Sequence, residues 1–532
     1  MSSRQASTGN ATAFHGVRVA ELAATLSYAA DLGLGQPLAH CMRQTTIALR
    51  LADLAGASER EREATYYLGL MMNAYCHADA SEQARWFGDD IAFKAAAYDT
   101  LGMNTAQLAA FIVRQVASHG SGLDRARRLT QFPRSGWKEV MDFLSTHARL
   151  VSQFAQQIGL DQVAVDSFRQ AYEQWDGKGV PNGLRGADIA LPARLVQLAG
   201  PAEVYARNHG VDAARAALRR HRGADYDPAV VELFCANAWQ VLDGLDEASE
   251  WDAILDAEPS LGRRVAGAEL DTILEAMADL ADLKSPHFAG HSRGVAGLAA
   301  TAGRVWSLPD AEIATLYRAG LVHDLGRLGV SNAIWEKHGP LTVAETEHVR
   351  LHPYLTERML AGVSALAASR EIAGRHHERL DGSGYPRGLT GAQLRPMDNL
   401  LATADAYHAM TEPRPHRGAF TLDEAAEELT AEATAGRLDG AAVAAVLTAA
   451  GRPRPRRRAW PDGLTTREAE VLALLARGQS NRQIGTRLTI TPKTAANHVE
   501  HIYAKIGVSS RAAATLYAMQ HGLVGAFEPP TD

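Results

Sequence analysis

Residues 321–327 read Leu-Val-His-Asp-Leu-Gly-Arg, and residues 375–389 read Arg-His-His-Glu-Arg-Leu-Asp-Gly-Ser-Gly-Tyr-Pro-Arg-Gly-Leu. A lone His352 lies between them, and Asp405 follows in Thr-Ala-Asp-Ala-Tyr at 403–407. Ten of the 20 histidines fall between 287 and 416. Imidazoles and carboxylates in such company, with few thiols to compete, suit Fe, Mn or Zn. We expect His323 and Asp324 to be neighbours on a helix, about 100° apart in azimuth. Both could then reach ions lying between them, and a carboxylate can bridge two. Two ions about 3.5–4 Å apart can polarise a phosphate and generate a hydroxide near neutral pH, which is the chemistry a phosphodiester needs.

Working outward, apolar residues recur at three- and four-residue spacing in 293–305, 311–322 and 424–448, while alternating strand patterns are scarce. The pattern predicts an all-α chain. The loop after His377 has an earlier counterpart. Glu173-Gln-Trp-Asp-Gly-Lys-Gly-Val-Pro-Asn-Gly-Leu-Arg-Gly-Ala parallels Glu378-Arg-Leu-Asp-Gly-Ser-Gly-Tyr-Pro-Arg-Gly-Leu-Thr-Gly-Ala at an offset of 205, which also maps His352 onto His147. Upstream, 63–67 parallels 313–317 at an offset of 250, so the first copy should hold about 45 extra residues between the blocks. Under these offsets His323, Asp324, His376, His377 and Asp405 fall on Asn73, Ala74, Ala171, Tyr172 and Gly200. The first copy keeps the turn and loses the candidate ligands. We read it as a degenerate, metal-free domain, with a rearranged site of His40, Cys76, His77, Asp79 and His147 as the alternative.

Bulk properties agree with several globular domains. The 532 residues exceed one core, and 46% hydrophobic with 22% charged content is ordinary for a soluble protein. Three scattered cysteines match no disulfide or metal spacing. The polar N-terminus and the lack of an 18-residue apolar run argue against export and membrane insertion, so a cytoplasmic protein is expected. The net charge of −7 is uneven: residues 452–527 hold 12 Lys and Arg against four acids, a net +8, leaving −15 for the rest. A basic tail on an acidic body predicts a nucleic-acid module at that end. The acidic passage around 242–262 reads as a linker, partly helical at most. The Arg- and Pro-rich 451–462 reads as a second, whose arginines could meet DNA phosphates or the minor groove.

The His-Asp, His-His and Gly-Ser-Gly-Tyr-Pro elements resemble the HD-GYP family, a branch of the HD phosphohydrolases whose best-known substrate is cyclic di-GMP. The resemblance spans roughly residues 265–450. It implies metal ligands His291, His323, Asp324, His352, His376, His377 and Asp405, two divalent ions (Fe or Mn, with Zn as the alternative), and Asp324 bridging them in catalysis. It also implies catalytic roles for the residues at positions 327 and 337. Lys337 matches a family position, but the family usually has Lys where this chain has Arg327. Arginine binds phosphate well yet stays protonated, so activity could be reduced. Tyr385, Arg414 and Arg417 are the implied substrate-binding residues. The family's Arg-Pro-Tyr-Arg reads Arg414-Pro415-His416-Arg417 here. Some members carry an acid four residues before the first histidine. Here that residue is His287, so two ions are expected, with His287 a marginal candidate for a third. His338, His348, His408 and His416 receive no role.

Residues 464–520 carry three helix starts in quick succession. Thr465 or Thr466 caps the first helix with Glu468 in its opening turn, and Gly478 closes it. Ser480 caps Asn481–Leu488, and Thr491 caps a third helix with Pro492 at its first position. The segment resembles the LuxR-type helix-turn-helix, which implies a recognition helix over Thr494–Ile506. Lys493, Thr494, Asn497, His498, His501 and Lys505 face DNA in that reading, over a core of Val471, Leu474, Leu475, Ile484, Val499 and Ile502. Ala495-Ala496 replaces the family's frequent Val-Lys, which removes one basic contact.

The domains expected are a degenerate HD-GYP-like copy (1–260), an HD-GYP domain (261–450), a linker (451–462) and the DNA-binding module (463–532). Together they describe a one-component transcription regulator that binds and hydrolyses cyclic di-GMP or a related nucleotide and acts on a promoter as a homodimer, with no membrane. The alternatives are a nucleotide sensor without turnover, and a phosphohydrolase acting on another nucleotide or phosphoester.

Overall fold

The computed structural model describes residues 16–103, 105–116, 122–248, 250–259, 262–451 and 460–524. The Arg/Pro stretch 452–459 lies outside them. Among the described residues the chain is helical. Its one sheet is a two-residue antiparallel pair, Val17–Arg18 with Arg264–Val265. Helix starts follow the sequence signals. Ser58, Thr342, Thr421, Thr465 and Ser480 each accept from the backbone three residues on, and a Glu or Gln there reaches back to the cap. The stretch 424–448, read as continuous, is two helices, Leu422–Thr434 and Gly440–Ala450. Gly436 at φ 75° ends the first and Asp439 caps the second.

The internal repeat is physical. Glu173 accepts from the backbone N–H groups of Asn182 and Leu184, and Glu378 accepts from those of Arg387 and Leu389, each pair 205 residues apart. A buried carboxylate thus ties each loop, which explains why the motif outlasts the ligands in copy one. The correspondence extends upstream. Helices His40–Leu54 and His291–Val305 both start from a left-handed residue, Ala39 or Gly290. Asp31 and Asp282 cap the second residue of each, accepting from the Cys41 and Ser292 N–H groups. His40 therefore stands where His291 does.

In copy one the histidines are occupied separately. His40 pairs with Glu203 at 2.7 Å, His147 with Asp79 at 2.8 Å, and His77 with the Leu280 carbonyl at 2.8 Å. No three metal-ligating side chains converge there among the described residues. The extra residues form helices Ala80–Phe87, Asp90–Ala97, Thr105–Val116 and Gly122–Gln131 over a small cluster of Trp86, Phe87, Val116 and Phe132.

The acidic passage 242–262 is a seam rather than a free linker. It carries short helices Leu245–Ala248 and Trp251–Asp256, buries Ile254 and Leu255, and presents Glu258 to Tyr67 and Arg18. A single core cluster runs from copy one through the helix Gly267–Asp282 into the C-terminal module. At that junction the Gly290 N–H donates to Met519 Sδ, Pro286 packs against Gly478, and Arg149 bonds Ser509. Among the described residues the module has four α-helices where three were expected. Arg511–Gln520 is the fourth, and it packs on Gly267–Asp282 and Trp137–Gln157. No described helix is long and apolar enough to cross a membrane.

Candidate metal centre and DNA-binding helix

Four helix ends and one helix interior converge on the second copy. His291 begins the helix His291–Val305. His323 and Asp324 do not share a helix: Asp310–Val322 ends just before them, His323 is its cap, and Asp324 opens a 3₁₀ turn. His352 follows Val343–Arg350, His376 follows Ala367–Ala373, and Asp405 projects from within Pro396–Met410. All are buried except His377, which is partly so.

The two Asp324 oxygens face different partners. Oδ1 lies 3.4 Å from His352 Nε2 and 3.6 Å from His376 Nε2. Oδ2 lies 3.0 Å from His323 Nε2, 3.4 Å from His291 Nε2 and 2.7 Å from Arg327 Nη2. Asp405 Oδ1 is 3.1 Å from His291 Nε2, and its Oδ2 is 3.9 Å from His377 Nδ1. Three donor groups result, each compact enough for one ion: His352/His376/His377 and His291/His323/Asp324 around Asp324, and His291/His408/Glu412 behind His291.

Hydrogen bonding sharpens this. The Nδ1 atoms of His323, His352 and His376 lie 2.8, 2.6 and 2.6 Å from the carbonyls of Gly320, Val349 and Ala373. A carbonyl only accepts, so each Nδ1 carries a proton, and the neutral rings of His352 and His376 present a lone pair at Nε2. Burial opposes charge on His323, but the Asp324 and Asp405 carboxylates outweigh it and raise that ring to about 9. Burial, the largest influence, holds His352 down to about 4 and His376 to about 3. Their Nε2 atoms nevertheless face each other at 3.1 Å. Two lone pairs in that position repel unless a cation lies near both. His323 Nε2 and both Asp324 oxygens, all buried, also lack a hydrogen bond of good geometry. The donors present fit divalent metal.

Around the cluster, Arg327 stacks on Phe288 at 4.4 Å and on Trp335 at 5.6 Å, with Nε and Nη1 unpartnered. Arg414 covers the same phenyl ring at 5.2 Å and donates to the His287 carbonyl and Glu412. Tyr385 stacks on His377 at 4.7 Å. Two expected participants are engaged elsewhere. The Lys337 ammonium pairs with Glu345 at 2.6 Å, and Arg417 donates to the carbonyls of Ala409, Met410, Glu412 and Gly418. Two unexpected side chains adjoin the cluster. Glu412 Oε2 is 2.9 Å from His291 Nδ1, and His408 Nδ1 is 3.2 Å from Glu412 Oε1. His408 is thus no free surface histidine. Its i,i+4 spacing from Glu412 was the available signal.

In the C-terminal module the third helix is Pro492–Ile506, capped by Thr491 and starting at Pro492 as expected, and it contains the expected recognition range Thr494–Ile506. Lys493, Thr494, Asn497 and His501 are exposed on it and His498 is half-buried, over a core that includes Val471, Ile484 and Ile502. Lys505, though exposed, is paired with Glu468 at 2.7 Å.

Comparison with known proteins agrees with both halves. Residues 275–442 match the family described as HD domain, and residues 462–518 match the luxR family of bacterial regulatory proteins. A 3′3′-cGAMP-specific phosphodiesterase of Vibrio cholerae is 30% identical over 411 residues, covering 76% of this chain and 89% of that protein. A cyclic di-GMP phosphodiesterase of Pseudomonas aeruginosa is 38% identical over 138 residues, 25% of this chain and 33% of its own. The crystal structure of a Vibrio cholerae cyclic GMP-AMP-specific phosphodiesterase superposes with a TM-score of 0.55 at 25% identity, over 82% of this chain and 99% of that one. The chain belongs to the HD-domain family of these cyclic dinucleotide phosphodiesterases and carries a LuxR-family domain near its C-terminal end.

Proposed function

We propose that this chain is a metal-dependent phosphodiesterase of 3′,5′-linked cyclic dinucleotides coupled to a promoter-binding module. The observation that carries the enzymatic half is the pair of donor groups at Asp324, in one of which the Nε2 lone pairs of His352 and His376 face each other and call for a cation. His352, His376 and His377 would hold one ion and His291, His323 and Asp405 the other, with Asp324 between; Fe or Mn suits this set, and Zn is the alternative. Two such ions polarise a phosphodiester and supply hydroxide near neutral pH. Arg327 and Arg414 lie beside the cluster, both against the Phe288 ring, where their guanidiniums can bind phosphate oxygens. The Tyr385 ring offers a stacking face for a base or ribose. Lys337 would have to leave Glu345 before it could act.

A relative that spans most of this chain is named for 3′3′-cGAMP and others that match a shorter part for cyclic di-GMP, so both are test substrates. In this reading residues 1–260 form a degenerate copy, 261–450 the hydrolytic domain, 451–462 a linker and 463–532 a DNA-binding module that reads paired half-sites as a homodimer in the cytoplasm. Lys493, Thr494, Asn497, His498 and His501 are the contacts to DNA. The Pro286–Gly290 segment supports a coupling between the halves: it leads directly into His291 and touches Gly478 and Met519 of the module. A second reading, a sensor without turnover, is favoured by the Arg327 guanidinium, which is held on Asp324 and is a poor proton donor. Incubating the metal-loaded full-length chain with each cyclic dinucleotide separates the two: product supports the enzyme, and tight binding without product supports the sensor.

A further inference from the structure

Four of the imidazoles at the candidate centre direct Nε2 at the carboxylates, yet only three find the same kind of support behind the ring. Gly320, Val349 and Ala373 lie in the last turns of helices Asp310–Val322, Val343–Arg350 and Ala367–Ala373. Helix-end carbonyls have no partner within the helix, so His323, His352 and His376 each accept fixation from a group that is free in any case. His291 cannot. It is the first residue of its helix, entered from the left-handed Gly290, and its Nδ1 meets a side chain instead of a helix-end carbonyl. That side chain is Glu412, 2.9 Å away, two residues beyond the helix Pro396–Met410. Glu412 is itself held: Oε2 also accepts from Arg414 Nη2 at 2.9 Å, and Oε1 lies 3.2 Å from His408 Nδ1. With its side chain only 17% exposed, it reaches the back of a fully buried ring.

We infer that Glu412 is a positioning residue for the metal centre. It fixes the Nδ1–H tautomer of His291, aims the Nε2 lone pair at the site shared with Asp324 and Asp405, and makes that imidazole more basic than its carbonyl-supported neighbours. His408 and Arg414 hold the carboxylate. The inference rests on the metal reading above. Carboxylates behind a ligating histidine typically change metal affinity by about 10–100-fold. A single carboxylate among three carbonyls makes the two ions unequal: only the one on the His291 side depends on Glu412.

The test uses the full-length chain with Co(II) or Mn(II), titrated against a chelator, with the visible spectrum of the Co(II) form read alongside. Wild type should bind two ions. Glu412→Ala should weaken one of them by about 10–100-fold and alter its spectrum while sparing the other. Glu412→Gln, which keeps an acceptor without the charge, should fall between, and it decides the matter if the alanine variant does not fold. Wild-type affinity and spectra in both variants would overturn the inference. So would three ions in wild type and two in the variants, since Glu412 would then be a direct ligand. Failure of wild type to bind any ion would instead overturn the metal reading itself.

Discussion

Asp324 is the residue on which the centre turns. Its two oxygens face the two sets of imidazoles at 3.0–3.6 Å, and burial opposes their charge while Arg327 and His323 hold the carboxyl well below its usual range. Asp324→Asn should lose both ions while leaving the fold and DNA binding in place, as read by metal analysis and circular dichroism on one sample. Arg327 acts differently: Arg327→Ala should keep the ions and lower turnover by about 100-fold, the scale seen when one preorganised charge partner is removed. At this scale the family motifs pointed to the imidazoles and carboxylates that lie together around Asp324. The sequence was misleading where a side chain has a nearer partner than the site. Lys337, Arg417 and Lys505 carry the right charge, but Glu345, four carbonyls and Glu468 claim them. Glu412 and His408 were missed because their role depends on where a helix ends in space.

Among elements, the recognition helix was the most legible. Thr491 and Pro492 set its start and Gly507, at φ 67°, its end. Removing the cap with Thr491→Ala should cost about 1 kcal/mol of module stability. Replacing Lys493 and Asn497 together should weaken promoter binding, and loss of Lys493 should reduce the slope of affinity against salt by about one phosphate contact. The fourth helix, Arg511–Gln520, escaped notice because its pattern of small residues, Ala512, Ala513 and Ala514, gives little amphipathic signal. The 242–262 passage was read as linker from its acids. Glu258, paired with Arg18 and Tyr67, turns one of those acids into a buried tie.

Across the whole molecule, the added helices of copy one are joined to copy two by a buried ion pair. Lys284 Nζ lies 3.0 Å from Asp90 Oδ2, both side chains fully enclosed, and Asp90 Oδ1 accepts from Ser331 and the Asn332 N–H. Asp90→Asn strands the ammonium and should cost about 3–5 kcal/mol in urea unfolding. Burial opposes ionisation of Asp90, but Lys284 and Lys94 outweigh it and take the carboxyl down to about 2. The folded value lies below the unfolded one near 3.9, so this contribution is present above about pH 4. It is lost as pH falls from about 4 to about 2, and the wild-type advantage over Asp90→Asn should shrink in that window. Such long-range pairings carry no sequence signature.

The most direct test of the whole account is hydrolysis. Full-length chain reconstituted with Mn or Fe is incubated with 3′3′-cGAMP or cyclic di-GMP, and the products are separated by chromatography. Linear dinucleotide or mononucleotide is expected from at least one of them, and none from Asp324→Asn. Metal-loaded wild type that leaves both nucleotides intact would contradict it.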